Sequence, residues 1–223
     1  GDDMKILSWN AAGMGDDALK NLLDLLAETD NDWDAVLIQE GPKRDSEELC
    51  ELDGGHLWYV APSCDRPRSV AILLHNKWCG KELPSFKAIN GRLAQVCVSI
   101  QGLPLCLLSS HLPHTGKSDM EYEAALSCLE QTVDIAKRRG SYVVVGIDAN
   151  AVLGASHAAD CNRVVGHWGL HARNERGLMF AAWLHINRLI ASTTVFQKPF
   201  AKQRTHQSWS TGSQRQIDFL LVD

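Results

Sequence analysis

Six polar residues stand where apolar runs of this chain end or begin. Asn10 follows ILSW, Glu40 follows AVLIQ, His111 follows LCLLSS, Asp148 and Asn150 follow YVVVGI, and Asp218 lies inside QIDFLLV. Strands buried in a sheet release their ends onto one rim, where ligands commonly bind. Carboxylates, amides and an imidazole converging on such a rim make a candidate site. Glu40 is a hard oxygen donor suited to Mg²⁺ or Mn²⁺. Asp148 and Asn150 are two apart on an extended segment, so their side chains point the same way. An imidazole such as that of His111 reaches an anion whether neutral or protonated. Each residue also has an ordinary structural role. Glu40 can cap a turn, Asn10 can make the turn before Gly13, Asp148 and Asn150 can form an Asx turn, His111 can be a satisfied core histidine, and Asp218 can belong to a buried polar network.

The elements that would position these residues alternate between strand and helix. Residues 4–9, 34–39, 70–75, 93–100, 104–110, 142–148 and 216–222 read as apolar strands, with a turn at Gly102 joining the fourth and fifth. Leu19, Leu22, Leu23 and Leu26 recur at helical spacing within 16–28. Ser118 and Glu121 form a capping box that opens a helix through Arg139, stopped by Gly140. A further helix covers 177–189. The hairpin at 93–110 implies antiparallel pairing, and the strand–helix–strand pieces imply crossovers. Together they predict an α+β or mixed sandwich, with sheets inside and helices outside.

Composition narrows the classes. The 223 residues are 45% hydrophobic, enough for one large domain, and no apolar run reaches membrane-spanning length. The chain begins at Gly1 without a basic-then-apolar leader, which reads as a fragment or a processed chain with no secretory signal. Seven cysteines without a CxxC pair read as reduced thiols of an intracellular protein, not a disulfide scaffold or zinc ribbon. The net charge of −5 excludes a protein that grips nucleic acid by bulk positive charge. An acidic metal site and an ordinary acidic protein account for it equally well.

The ordered segments SWNAAG (8–13), LIQE (37–40), SSHLPHTG (109–116), GIDAN (146–150) and QIDFLL (216–221) resemble the successive motifs of the exonuclease-endonuclease-phosphatase superfamily. The resemblance runs over essentially the whole chain. It implies a four-layer α/β sandwich with two packed mixed or antiparallel sheets flanked by helices, in one domain over residues 1–223. It also implies a divalent-metal-dependent phosphodiesterase using Mg²⁺ or Mn²⁺. By the same resemblance Glu40 is the principal metal ligand and Asn10 lies beside the metal. Asp148 orients or deprotonates the attacking water, and Asn150 hydrogen-bonds the scissile phosphate or stabilises the pentacovalent state. His111 reaches that phosphate, and Asp218 supports a catalytic histidine or the metal site from behind. NERGLMFAAWLHINRL (174–189), TTVF (193–196), RTHQSW (204–209) and RQIDFLLVD resemble the endonuclease domain of LINE-type (non-LTR) retrotransposons. That implies DNA nicking, a reverse transcriptase further along the parent chain, action in the nucleus, and DNA contacts from Thr205, Ser208 and Arg215. Other readings within the superfamily are an RNA deadenylase or an enzyme cleaving phospholipids or inositol phosphates. A catalytically dead relic is a third.

Two departures qualify the resemblance. Ala12 stands where repair-type relatives carry a side chain that helps build the metal site. The family's closing Ser-Asp-His motif and C-terminal strand have no counterpart up to Asp223. The sequence therefore predicts that residues 1–223 bind metal and cut poorly or not at all. Some patterns are decoys. Gly116-Lys117-Ser118 lacks the upstream glycine of a phosphate-binding loop, since His111 stands there. Gly166 and Gly169 argue against a helical His167/His171 metal pair. Trp33, Trp58, Trp78, Trp168, Trp183 and Trp209 read mostly as core. Lys137-Arg138-Arg139 read as the basic end of a helix.

Overall fold

The computed structural model describes residues 4–15, 17–28, 32–63, 68–79, 84–100, 102–157, 164–207, 212 and 214–223. Ser208 and Trp209 therefore lie outside the described residues. Strands order into a five-stranded and a six-stranded sheet, with helices against them and a small two-stranded ribbon besides. This is the α/β sandwich that the sequence implies. No described helix is long and apolar enough to cross a membrane. The chain divides into two compact units, residues 1–111 and 112–223.

In the first unit, β1 (Ile6–Asn10) runs parallel to β2 (Ala35–Gly41), and α1 (Ala18–Ala27) is the crossover between them. The periodic leucines explain that helix. Leu22 and Leu26 are buried against Trp33, Val36, Ile38, Trp58 and Leu73. Beside β2 lie β5 (Ser69–Leu74), then β4 (Leu57–Val60) and β3 (Glu48–Glu51), all antiparallel. A second layer is the meander of β6 (Ser85–Asn90), β7 (Leu93–Ile100) and β8 (Leu103–His111), turned at Gly102 with φ of +81°. β2 and β5 pack one face on β7 and β8 and the other on α1, and β8 is buried from Leu105 to Ser110, so both faces of β2, β5 and β8 lie inside. That is why β2, β5 and β8 read as continuous hydrophobic runs. β3, β4 and β6 escaped the sequence reading. β3 and β6 alternate half-buried and exposed positions and carry charged residues, as strands near a sheet margin do.

In the second unit, α2 (Asp119–Arg138) opens with the expected capping box. Ser118 Oγ accepts from the Glu121 N–H, and the Glu121 carboxylate accepts from the Ser118 N–H. The Gly-Lys-Ser run is thus a helix start. At the other end Arg138 pairs with Asp134, and Lys137 donates to the Asn187 carbonyl. α2 packs on β9 (Tyr142–Asp148) and on α3 (Glu175–Asn187). β10 (Ile190–Ala191), the short α4 (Phe200–Gln203), and a ribbon of β11 (His206–Gln207) with β12 (Gln214–Arg215) lead to β13 (Asp218–Val222). β13 lies antiparallel between β9 and β10. The sequence places Asp218 inside a strand over 216–222. Instead Asp218 opens the strand, because the Ile217 and Asp218 N–H groups both donate to Thr205 Oγ1 at 3.0 and 3.1 Å rather than to a neighbouring strand. No helix covers the stretch from Gly166 to Gly169. A Cβ on Gly166 would stand 2.2 Å from the Thr194 carbonyl oxygen, and one on Gly169 would stand 1.8 Å from that of Gly154. His167 there bonds Ser156 Oγ through Nδ1 at 2.7 Å.

Candidate active site

Each unit gathers part of the predicted set. In the first, Glu40 does not simply end β2. The β2–β5 register slips between Ile38 and Gly41, and Glu40 sits in this bulge with φ of +51°. A positive φ is costly for a residue with a side chain, and such strain concentrates at functional sites. Bulges also re-aim side chains. The Glu40 carboxylate is 17% exposed and within 4.8 Å of an imidazole nitrogen of His111, at the end of β8. A carboxylate oxygen and an imidazole nitrogen that close are a donor pair suited to a divalent cation. Asn10 lies next to them across the β1–β2 pairing. Its Oδ1 accepts from the Ala12 N–H at 2.9 Å, an Asx turn that shapes the loop. That loop is pinned on β2 by Ala11 N–H to the Gln39 carbonyl at 2.9 Å and Gly13 N–H to the Glu40 carbonyl at 3.1 Å. Ala12 itself has φ of +50° and offers only a methyl.

Beneath this rim lies a polar network the sequence reading missed. Gln39, wholly buried, donates through Nε2 to the Leu37 carbonyl and to Ser109 Oγ at 3.1 and 3.2 Å, and its Oε1 accepts from Ser8 Oγ at 3.3 Å. Ser109 Oγ in turn donates to the Ile38 carbonyl at 2.7 Å. Three strands that deliver Asn10, Glu40 and His111 are therefore locked together one residue or two below the rim. Polar letters inside otherwise apolar strands were the available signal.

Arg68 was missed as well. Its guanidinium pairs with the Glu40 carboxylate. Only the residues after apolar runs draw attention in sequence. β5 runs antiparallel to β2, so the residue before β5 reaches the same rim.

In the second unit, Asp148 and Asp218 face each other directly across the β9–β13 pair. Opposed residues in an antiparallel pair share one face of the sheet with Cβ atoms about 5 Å apart. Asp148 is buried, and its Oδ1 accepts from the Asn150 N–H at 3.0 Å. Asn150, with φ of +46°, turns back so that Nδ2 donates to the Leu112 carbonyl at 2.9 Å. The segment is fixed further by Ala149 N–H to Ile217 and by Tyr122 Oη to the Ala149 carbonyl at 2.9 Å. Burial raises the Tyr122 phenol well above its ordinary value. Arg176 opposes that shift and Asp148 adds to it, so the hydroxyl stays a donor.

Arg176, within the NERGL run, is buried and clamps the loop after Leu112. It donates to the Pro113 carbonyl at 2.7 Å and the Lys117 carbonyl at 2.6 Å, pairs with Asp119, and stacks 4.7 Å from the Tyr122 ring centre. The next residue must be glycine, because a Cβ on Gly177 would stand 1.9 Å from the Val152 carbonyl oxygen. Of the predicted loop contacts, Thr205 anchors the start of β13 through its hydroxyl. Arg215 lies exposed on β12, and its carbonyl accepts from the Thr205 N–H.

A sequence profile of the Endonuclease/Exonuclease/phosphatase family matches residues 7–223. Among curated proteins, craniofacial development protein 2 of Bos taurus is 25% identical over 171 residues, 76% of this chain and 28% of that protein. The same protein of Tragulus javanicus is 24% identical. The chain thus spans under a third of those relatives. Similar solved structures include the endonuclease domain of TRAS1, a telomere-specific non-LTR retrotransposon, with a TM-score of 0.62 and 14% identity over 99% of this chain and 85% of that one. The Xenopus laevis APE2 catalytic domain gives 0.65 and 15% over 99% and 82%. D. rerio TDP2 complexed with a single-strand DNA product gives 0.58 and 16% over 98% and 83%. At these identities they establish the fold.

Proposed function

Because the chain belongs to the endonuclease/exonuclease/phosphatase family, we propose that it is a divalent-metal-dependent phosphodiesterase, most specifically a DNA-nicking endonuclease of a retrotransposon. The observation that carries the reading is Glu40, a carboxylate forced to positive φ in a bulge and set beside His111. Strain of that kind persists only where the surroundings over-determine it, and it concentrates at functional sites.

In this reading Glu40 would hold Mg²⁺ or Mn²⁺ with Asn10 and His111 beside it, and by the family resemblance Asp148 serves the same reaction. A bound divalent ion supplies neutralisation of the phosphoryl oxygens. Asp148 takes the proton of the attacking water and fixes its direction, a contribution of about 10²–10⁴ in rate. The Asn150 amide steadies the charge that develops on phosphorus-bound oxygen. Asp218, opposite Asp148, orients it. By the sequence resemblance Thr205, Ser208 and Arg215 would contact the DNA. DNA as substrate is supported by the TRAS1 and TDP2 likenesses. Action in the nucleus and an adjoining reverse transcriptase rest on the 174–223 resemblance alone.

The test is nicking of supercoiled plasmid by the encoded protein, including any residues that follow Asp223. Relaxed circles should form with Mg²⁺, vanish with EDTA, and fall by two to four orders of magnitude in Asp148→Asn. Undiminished nicking in that variant, or preferential cleavage of poly(A) RNA or a phospholipid, overturns the proposal.

A further inference from the structure

Arg68 stands immediately before β5, where Ser69 pairs with Gly41 across the bulge that carries Glu40. Its side chain is 45% exposed, yet its placement is not casual. NH1 pairs with Glu40 Oε2. Nε and NH2 both lie 3.3 Å from where a Cβ on Gly13 would be, so the guanidinium rests in the space that this glycine leaves open. Gly13 has φ of +95° and is itself bonded to the Glu40 carbonyl. Ser69 Oγ donates to the Pro42 carbonyl at 2.8 Å, which fixes the backbone on the other side of the bulge. Glu40, Gly13 and Arg68 thus form one assembly with a planar cation on its solvent side.

Resting on the phosphodiesterase reading, we propose that Arg68 is a substrate-binding residue whose guanidinium grips a phosphate group beside Glu40, and that it shares Glu40 with the divalent ion. A half-exposed ion pair is a weak bond and is readily exchanged. A doubly charged cation at Glu40 outcompetes a single guanidinium for the carboxylate. The released fork then finds the anionic phosphate oxygens that the same cation attracts. Guanidinium matches phosphate through two parallel N–H donors, which an ammonium cannot do. Glu40 is itself an anion, so an arginine beside it also offsets the repulsion between Glu40 and an incoming phosphate.

The experiment compares wild type, Arg68→Ala and Arg68→Lys. Mn²⁺ uptake is followed by electron paramagnetic resonance, and binding of a short labelled DNA duplex is measured in Ca²⁺ over a salt series. In Arg68→Ala, Mn²⁺ affinity should stay equal or rise a few-fold, because a competitor for Glu40 is gone. Duplex affinity should fall about tenfold, and the slope of log affinity against log salt should drop by about 1. Arg68→Lys should keep the salt slope and recover only part of the affinity. Weakened Mn²⁺ uptake in Arg68→Ala would mean that Arg68 merely supports Glu40, and unchanged DNA affinity and slope would mean that it touches no phosphate. Either result overturns the proposal. If wild type takes up no Mn²⁺ and Glu40→Gln behaves like it, the phosphodiesterase reading itself fails and this inference falls with it.

Discussion

Replacing Arg176 by Met should cost about 3–5 kcal/mol of stability, because it leaves two buried main-chain carbonyls without their donor. The magnitude follows from what the guanidinium touches. Two short hydrogen bonds run to main-chain carbonyls, at 2.7 Å to Pro113 and 2.6 Å to Lys117, and hydrogen bonds to a charged donor contribute about 1.5–3 kcal/mol each. The Tyr122 ring adds about 1 kcal/mol. The ion pair to Asp119 counts for little, because the Asp119 side chain is 65% exposed and screened by water. Removal of the buried charge's own desolvation cost offsets part of the loss. For a chain of this size the melting temperature should fall by about 10 °C or more. Differential scanning calorimetry or tryptophan fluorescence reads this directly. Asp119→Asn is the control and should cost under about 1 kcal/mol. Arg176→Lys should lie between them, because an ammonium cannot reach both carbonyls in the fork geometry. The reasoning is wrong if Asp119→Asn destabilises as much as Arg176→Met, or if Arg176→Met is nearly neutral.

Two further outcomes follow from the first unit. Gln39→Leu should cost about 1–3 kcal/mol, since the half-buried Ser8 hydroxyl loses its acceptor and the buried Ser109 Oγ, still bonded to the Ile38 carbonyl, loses a donor, and a double-mutant cycle with Ser109→Ala should give a coupling of about 1 kcal/mol; additive effects in denaturant melts would show that the network is not a unit. His56 and His75 pack on each other at 4.6 Å and on Trp33 at 5.0 and 4.7 Å, and each Nδ1 accepts a backbone N–H. Burial lowers both below the ordinary 6.5, and for His75 the neighbouring His56 and Lys77 add to it. A histidine whose folded pKa is depressed favours the unfolded state once that state begins to protonate. Stability should therefore be level above about pH 7 and fall as pH drops through 6.5. His75→Gln should flatten that slope in thermal melts across pH 5 to 8, and an unaltered slope would assign it elsewhere.

The sequence by itself determined the α/β class, most strands and helices, the capping box at Ser118, and six polar residues at strand ends. Each of those is a local signal: an apolar run, a 3.6-residue period, a cap, a polar residue where an apolar run stops. Margin strands such as β3 and β6 were not legible, because half-exposed strands carry charges and lose the apolar signature. Only tertiary structure decided how the strand ends are used. The bulge at Glu40 depends on its pairing with β5, and the opposition of Asp148 and Asp218 depends on the register of β9 with β13. Arg68 comes to Glu40 because antiparallel pairing brings the start of one strand to the end of its neighbour. Gln39 and Ser109 meet because two sheets pack face to face, and Arg176 reaches two carbonyls some sixty positions earlier in the chain. Register, bulges and sheet packing are set by contacts between distant segments, and no window of sequence contains both partners.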